Sequence, residues 1–183
     1  MNTRIQSGTY QIDPMHSSVE FAVKHLMIST VKGRFADVKG TLELPESGDA
    51  KVDITIAAPS IYTGVEARDT HLKSADFFDV EKYPELRFVS TEATRHGDGW
   101  RLVGNLTMHG VTQPVTLAVS EEGAGVDPWG NQKVAFSASG KVNRTHFGLS
   151  WNAALETGGV LVGEEVKISI DAQLVKLAAK AAA

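Results

Sequence analysis

Six histidines are the first candidates for chemistry in this chain, but their spacing does not favour a metal site. A zinc site commonly draws two ligands from one element through a motif such as H-x-x-x-H, and no histidine pair has that spacing. The chain has no cysteine, which excludes thiolate ligands, disulfides and cysteine nucleophiles. We therefore predict no metal site and no cofactor, although the chain contains His16, His25, His71, His96, His109 and His146.

A serine nucleophile is the second candidate for chemistry. Ser17 directly follows His16, but adjacent residues of a strand point to opposite faces, so the two side chains would not meet. Neither a G-x-S-x-G motif nor a glycine-rich phosphate loop occurs in the chain. We predict a non-enzymatic protein without catalytic residues, and a lipid-modifying hydrolase remains the alternative.

Charge and hydropathy limit the partners. The chain has 18 Lys and Arg residues against 22 Asp and Glu residues, a net charge of −4, and it carries no basic stripe for nucleic acid. It has no apolar run of transmembrane length, so stable membrane insertion is not expected. Residues 1–8 do not resemble a signal peptide, and we therefore expect a cytoplasmic location.

Strands are the elements that must position any site. Eight segments alternate apolar and polar residues with period two, a pattern that places one face of every strand inside a closed sheet. The prediction is an all-β fold, an eight-stranded antiparallel barrel, in one domain over residues 1–175 with an Ala-rich tail at 176–183. In the segment that begins with Leu86 and Phe88, the inner face is expected to continue through Ser90, Glu92 and Thr94.

Residues 64–76 do not alternate, and they are predicted to form a short helical insert over one open end of the barrel. Val65, Leu72, Phe77 and Phe78 are expected to form its apolar side, and Asp69 is expected to face water or other charged residues. Such an insert either plugs the core or acts as a mobile gate over a cavity, and both roles remain open.

Several linked motifs resemble those of the YceI-like family. They are YQIDPMHSSVEFAVKH at 10–25, VKGRF at 31–35, RDTHLKSADFFD at 68–79, GNLTMHGVT at 104–112 and NRTHFGL at 143–149. The resemblance implies a lipocalin-like barrel, often a homodimer, whose interior holds a long isoprenoid lipid such as a polyprenyl compound or an isoprenoid quinone. Many relatives are exported to the periplasm, whereas no export signal is visible in this chain.

The predicted inner faces are compatible with such a ligand. Small residues (Ala58, Gly104, Ala138 and Gly140) stand beside larger apolar ones, a mixture that favours room for one ligand over a filled interior. No charged cluster lies on these faces, so an apolar tail is the expected guest. A structural or interaction barrel with a filled core remains an alternative. The predicted lining residues are Val19, Phe21, Val23, His25, Leu42, Ile54, Ile56, Leu72, Phe77, Phe78, Phe88, Leu102, Leu106, Met108, Leu117, Phe136, Ala138, Ile168 and Ile170.

Four polar residues could contact a lipid head group or form a gate. Arg68, His71 and Asp76 belong to the insert, and Arg144 precedes a turn in which its guanidinium could satisfy carbonyls or a carboxylate. A structural network that holds the insert over the barrel would explain the first three equally well. His25 ends an apolar strand face, where it is expected to be a hydrogen-bonded core residue or a contact for a head group.

Overall fold

The computed structural model describes residues 5–154 and 160–178 of the chain. It contains one α-helix, α1 (Glu66–Lys73), and short 3-10 turns at Ala58–Ser60 and Arg144–Phe147. The strands are β1 (Gly8–Ile12), β2 (Ser18–His25), β3 (Ser29–Phe35), β4 (Val38–Leu44), β5 (Lys51–Ala57), β6 (Ile61–Tyr62), β7 (Glu85–His96), β8 (Gly99–Met108), β9 (Val111–Val126), β10 (Gln132–Asn143) and β11 (Val162–Lys176).

Eight of these strands form a closed antiparallel ring in the order β1, β4, β5, β7, β8, β9, β10 and β11, and β11 pairs back to β1. The remaining strands β2, β3 and β6 extend the sheet from β11. The same β11 strand pairs with β1 near its end, where Leu174 faces Ile12, and with β2 earlier, where Ile170 faces Val19. The predicted eight-stranded antiparallel barrel is therefore confirmed.

The alternation in the sequence did not reveal β1, β3 or β6. The β1 and β6 strands have five and two residues, too few for a clear period-two pattern. In β3 the inner face includes Gly33, where a side chain would collide with the ring of Phe21. Phe21 thus fills the space that a larger inward-facing side chain of β3 would occupy. Because this position is a glycine, the alternating pattern of β3 lacks an apolar residue there.

The inner face of β7 departs from the prediction after Ser90. The pairing with β8 shifts register between Ser90 and Glu92, which is the mark of a β-bulge. Beyond the bulge the faces are exchanged, so Glu92 and Thr94 are exposed while Ala93 is buried. The expectation that Glu92 and Thr94 face inward was wrong, because one extra residue in a strand reverses the side of every residue that follows it.

The helical insert is confirmed, but its boundaries and contacts differ from the expectation. The helix begins at Glu66, and Val65, which was expected on the apolar side, is 47% exposed. Asp69, which was expected to face water or other charges, is buried and accepts a hydrogen bond from the backbone N–H of Thr63 at 2.9 Å. Arg68 donates to the Thr63 hydroxyl at 2.7 Å, so both charged side chains fasten the helix to the connection that follows β6.

The break between β1 and β2 is held by the carboxylate of Asp13. It accepts hydrogen bonds from Lys133 Nζ at 3.1 Å, from Gln173 Nε2 at 3.2 Å and from the Met15 backbone N–H at 3.1 Å, and it lies 2.9 Å from His16 Nδ1. Partial burial alone would raise the pKa of Asp13, but these partners outweigh it and lower the pKa to about 2. Asp13 therefore ties the segment that follows β1 to β10 and to β11.

The hairpin between β2 and β3 turns through exposed apolar residues. Leu26 and Met27 have φ angles of 52° and 60°, a region that glycine and asparagine favour. The Ile28 backbone N–H closes the turn by donating to the His25 carbonyl at 3.2 Å.

Two remaining expectations concern the tail predicted at residues 176–183 and a segment that could cross a membrane. The last strand extends past residue 175 to include Lys176, and residues 179–183 of the predicted tail lie outside the described residues. Within the described ranges, no helix is long and apolar enough to cross a bilayer.

Candidate functional site

A cavity of about 710 Å³ occupies the interior of the barrel. Its size lies in the range typical of small-molecule sites. Every predicted lining residue borders this cavity except His25. His25 is half-buried and directly precedes the turn at the tip of the β2–β3 hairpin, which places it away from the interior. The contact of the lining residues with a lipid stays a prediction.

The cavity does not arise from the small residues in the way the sequence indicated. A side chain at Gly104 would overlap the ring of Phe88, and one at Gly140 would lie 2.7 Å from Leu117, so larger neighbours already fill both positions. Ala58 is fully buried in a 3-10 turn. Of the four small residues, Ala138 borders the cavity. The open space therefore comes from the width of the barrel and not from glycine positions.

One end of the cavity is closed by aromatic side chains. Phe77 and Phe78, which follow α1, border the cavity, as does Leu72 of the helix. Phe77 is 7% exposed and packs against Trp151, with the ring centroids 5.2 Å apart. This plugged end contains three of the four apolar residues that were predicted to cover the barrel, Leu72, Phe77 and Phe78, but not Val65.

The polar residues of the insert lie outside the cavity. His71 Nε2 is 2.8 Å from the Asp76 carboxylate, and its ring packs edge-on against Phe77 and Trp151. Arg68 is bound to Thr63, as described above. None of these three residues, Arg68, His71 and Asp76, borders the described part of the cavity. Their contacts are those of a structural network, and the head-group role stays a prediction.

Arg144 lies at the plugged end with its guanidinium buried, and burial lowers its pKa. Its side chain borders the cavity, but its N–H groups are directed to backbone carbonyls. The acceptors are the carbonyls of Gly163 at 2.9 Å, Trp151 at 2.9 Å, Val162 at 3.2 Å and Leu149. Arg144 therefore clamps the loop after β10 to the start of β11, the carbonyl-binding role that its sequence context had indicated.

The opposite end of the cavity opens to solvent through polar residues that the sequence did not single out. Gln6, Asp49, Arg95 and Glu121 border the cavity and are exposed. Trp100 also borders it and is half-buried. Arg95 was missed because the bulge in β7 turns it to the inner side. The interruption of alternation between Ser90 and Ala93 was the available signal.

Ser17 and His16 do not form a pair of nucleophile and base. The Ser17 hydroxyl donates to the Gln173 carbonyl at 3.2 Å and accepts from the Gln173 N–H at 3.0 Å, while His16 binds Asp13. No histidine borders the cavity within the described part of the chain, and residues 5–154 and 160–178 contain no cluster of three potential metal ligands. Most of the described residues that border the cavity are apolar.

Comparisons with known proteins agree with this architecture. The YceI-like domain model matches residues 10–174. A UPF0312 protein of Serratia proteamaculans is 41% identical over 148 residues, which cover 79% of this chain and 77% of that protein. The crystal structure of Burkholderia cenocepacia BcnA matches with a TM-score of 0.76 at 22% identity, covering 88% of this chain and 98% of BcnA.

A polyisoprenoid binding domain from Saccharophagus degradans, implicated in plant cell wall breakdown, has the same fold. It matches with a TM-score of 0.67 at 13% identity, covering 94% of this chain and 100% of that domain. The family model begins within β1 and ends within β11, so it includes residues of all eight strands of the ring. The chain therefore belongs to the YceI-like family.

Proposed function

We propose that this protein binds the hydrocarbon tail of a long isoprenoid lipid inside its barrel and stores or transports it. The observation that carries the proposal is the cavity of about 710 Å³, plugged by Phe77 and Phe78 at one end and open at the other. A polyisoprenoid binding domain with the same fold supports the ligand class. The cargo is a polyprenyl compound or an isoprenoid quinone.

The energetics of tail burial are sufficient for such a complex. Each buried methylene contributes about 0.8 kcal/mol, so a tail of four isoprene units could gain on the order of 10 kcal/mol or more. Association costs roughly 4 to 15 kcal/mol, and only the remainder appears as affinity. A long tail is therefore required for tight binding, because a single isoprene unit would not offset the cost of association.

The proposed role is non-catalytic. A hydrolase would need a nucleophile beside a general base at the cavity, and Ser17 instead binds the backbone of Gln173.

We also propose that the protein acts as a homodimer, the assembly that the resemblance implied. Sedimentation equilibrium measures the mass directly, and a species at the 19.6 kDa mass of one chain at every concentration would contradict this.

Extraction of the purified protein with organic solvent, followed by mass spectrometry, tests the main proposal. A stoichiometric isoprenoid is expected from the wild-type protein. The Ala138→Trp variant, purified in parallel, is the control, because its indole would occupy the cavity and reduce the amount recovered. A wild-type protein that yields no lipid and rebinds none would favour a structural barrel, and turnover of a lipid ester would favour the hydrolase.

A further inference from the structure

The two ends of the cavity differ in chemical character. At the plugged end the bordering residues include Leu72, Phe77 and Phe78. At the open end the charged residues that border the cavity are Asp49, Arg95 and Glu121, and all three are exposed. A lipid with its tail against the plug would therefore place its head group among these polar side chains.

Three side chains at the open end form a connected group, called the rim cluster here: Arg95, Trp100 and Glu121. Arg95 and Trp100 face each other across β7 and β8, and the guanidinium carbon lies 4.3 Å from the indole centroid. The indole N–H donates to Glu121 at 2.8 Å, and an Arg95 N–H group is 3.5 Å from the same carboxylate. Each member is thus held in position by the other two.

Building on the proposed binding of an isoprenoid tail, we propose that the rim cluster is a head-group subsite that accepts a flat, uncharged head group and rejects a diphosphate. The indole has already donated its N–H to Glu121 and has Arg95 over one face, so it offers a ligand its other ring face. Aromatic surfaces favour flat, offset partners. Arg95 is 58% exposed and has further N–H groups that can donate to a carbonyl oxygen of the head group.

The charges around the cavity disfavour a phosphorylated head group. Arg95 is the one cation that borders the open end among the described residues, and Glu121 already lies within ion-pair distance of it. Asp49 adds a second carboxylate at this end, and Glu20 and Asp171 border the cavity near the break between β1 and β2. Lys176 lies outside the cavity lining, and its ammonium binds Gln6 at 3.0 Å. A diphosphate would therefore meet more negative than positive charge.

Three ligands with the same four-isoprene tail test this subsite: a naphthoquinone, a primary alcohol and a diphosphate. Each is titrated into delipidated protein, and the dissociation constant is measured by calorimetry at two salt concentrations. We expect the quinone to bind at least about tenfold more tightly than the diphosphate, with a smaller gap at high salt because the repulsion is screened. The alcohol is expected to lie between them.

Variants of the rim cluster separate head-group recognition from tail binding. Trp100→Leu is expected to weaken quinone binding about fivefold while changing alcohol binding by less than about twofold. Glu121→Gln is expected to strengthen diphosphate binding about fivefold, because one repelling charge is removed. Trp129→Leu is the matched control, since Trp129 is 83% exposed and does not border the cavity.

The outcomes distinguish the subsite from the proposed function itself. Equal affinity of the wild-type protein for the quinone and the diphosphate would overturn the subsite while leaving tail binding intact. An equal loss of quinone and alcohol binding in Trp100→Leu would also overturn it. Failure of all three ligands to bind the wild-type protein would instead overturn the proposed isoprenoid function.

Discussion

Blocking the middle of the cavity with Ala138→Trp should reduce lipid affinity, and the register of β10 makes this change interpretable. Ala138 pairs with Val119 of β9 and with Ile170 of β11, and all three residues border the cavity. The next residue, Ser139, is exposed and pairs with Ala118 and Ser169, which are also exposed. Ser139→Trp therefore introduces the same side chain on the outer face of the same strand.

The expected loss follows from the volume that the indole takes from the tail. If the indole displaces about four methylene groups from the cavity, the loss at about 0.8 kcal/mol per group is roughly 3 kcal/mol. A loss of roughly 3 kcal/mol corresponds to an affinity about 150-fold weaker. Ser139→Trp is expected to leave the affinity within about twofold of the wild-type value, because its indole lies in solvent.

The assay is a titration of delipidated protein with the four-isoprene alcohol, supported by thermal unfolding of each variant without ligand. Thermal unfolding separates a blocked cavity from a damaged fold, since a folded variant keeps a cooperative transition. Equal effects of the two tryptophans on affinity would refute the reasoning. They would show either that β10 is shifted by one residue or that the tail does not pass between Val119 and Ile170.

Three further predictions concern stability. Arg144→Met should lower the free energy of unfolding in urea by about 3 kcal/mol or more, because it removes the side-chain donor of the Gly163, Leu149 and Trp151 carbonyls, whereas the Val162 carbonyl keeps Asn152 Nδ2 as a donor. A loss below about 1 kcal/mol would contradict the clamp. The folded pKa of Asp13, about 2, lies below its ordinary value of 3.8, so roughly 2 kcal/mol of stability is present above about pH 4 and is lost as the pH falls through 2. The free energy of unfolding in urea, measured from pH 5 to pH 2, should show this loss in the wild type and not in Asp13→Asn. If this free energy changes with pH in the same way in both proteins, the Asp13 carboxylate is excluded as the source of the loss. Met27→Gly should raise the melting temperature by about 2 °C, because it removes the cost of a positive φ at an exposed residue, whereas Ser29→Gly in the neighbouring strand should lower it.

Alternation of apolar and polar residues predicted the strands, but it assigned the wrong face to residues that follow a β-bulge. Alternation identified the inward residues of β5, β8 and β9, because side-chain direction within one strand depends only on the backbone period. The same rule placed Glu92 and Thr94 inside, because the bulge after Ser90 depends on pairing with β8. Asp69 was wrongly assigned to solvent for a different reason, since the residue pattern of a helix does not show that Thr63, in the connection before it, binds this carboxylate.

The amino-acid sequence by itself determined that the chain forms an apolar-lined, eight-stranded barrel with a short helical insert, because strand periodicity and apolar content are properties of neighbouring residues. Tertiary structure alone decided which end of the barrel is polar. Arg95, Trp100 and Glu121 belong to three consecutive strands, and they meet because the bulge in β7 turns Arg95 to the inner side and the pairing of β8 with β9 brings Glu121 to Trp100. Contacts of this kind depend on the register between paired strands, which the residue pattern within one strand does not encode.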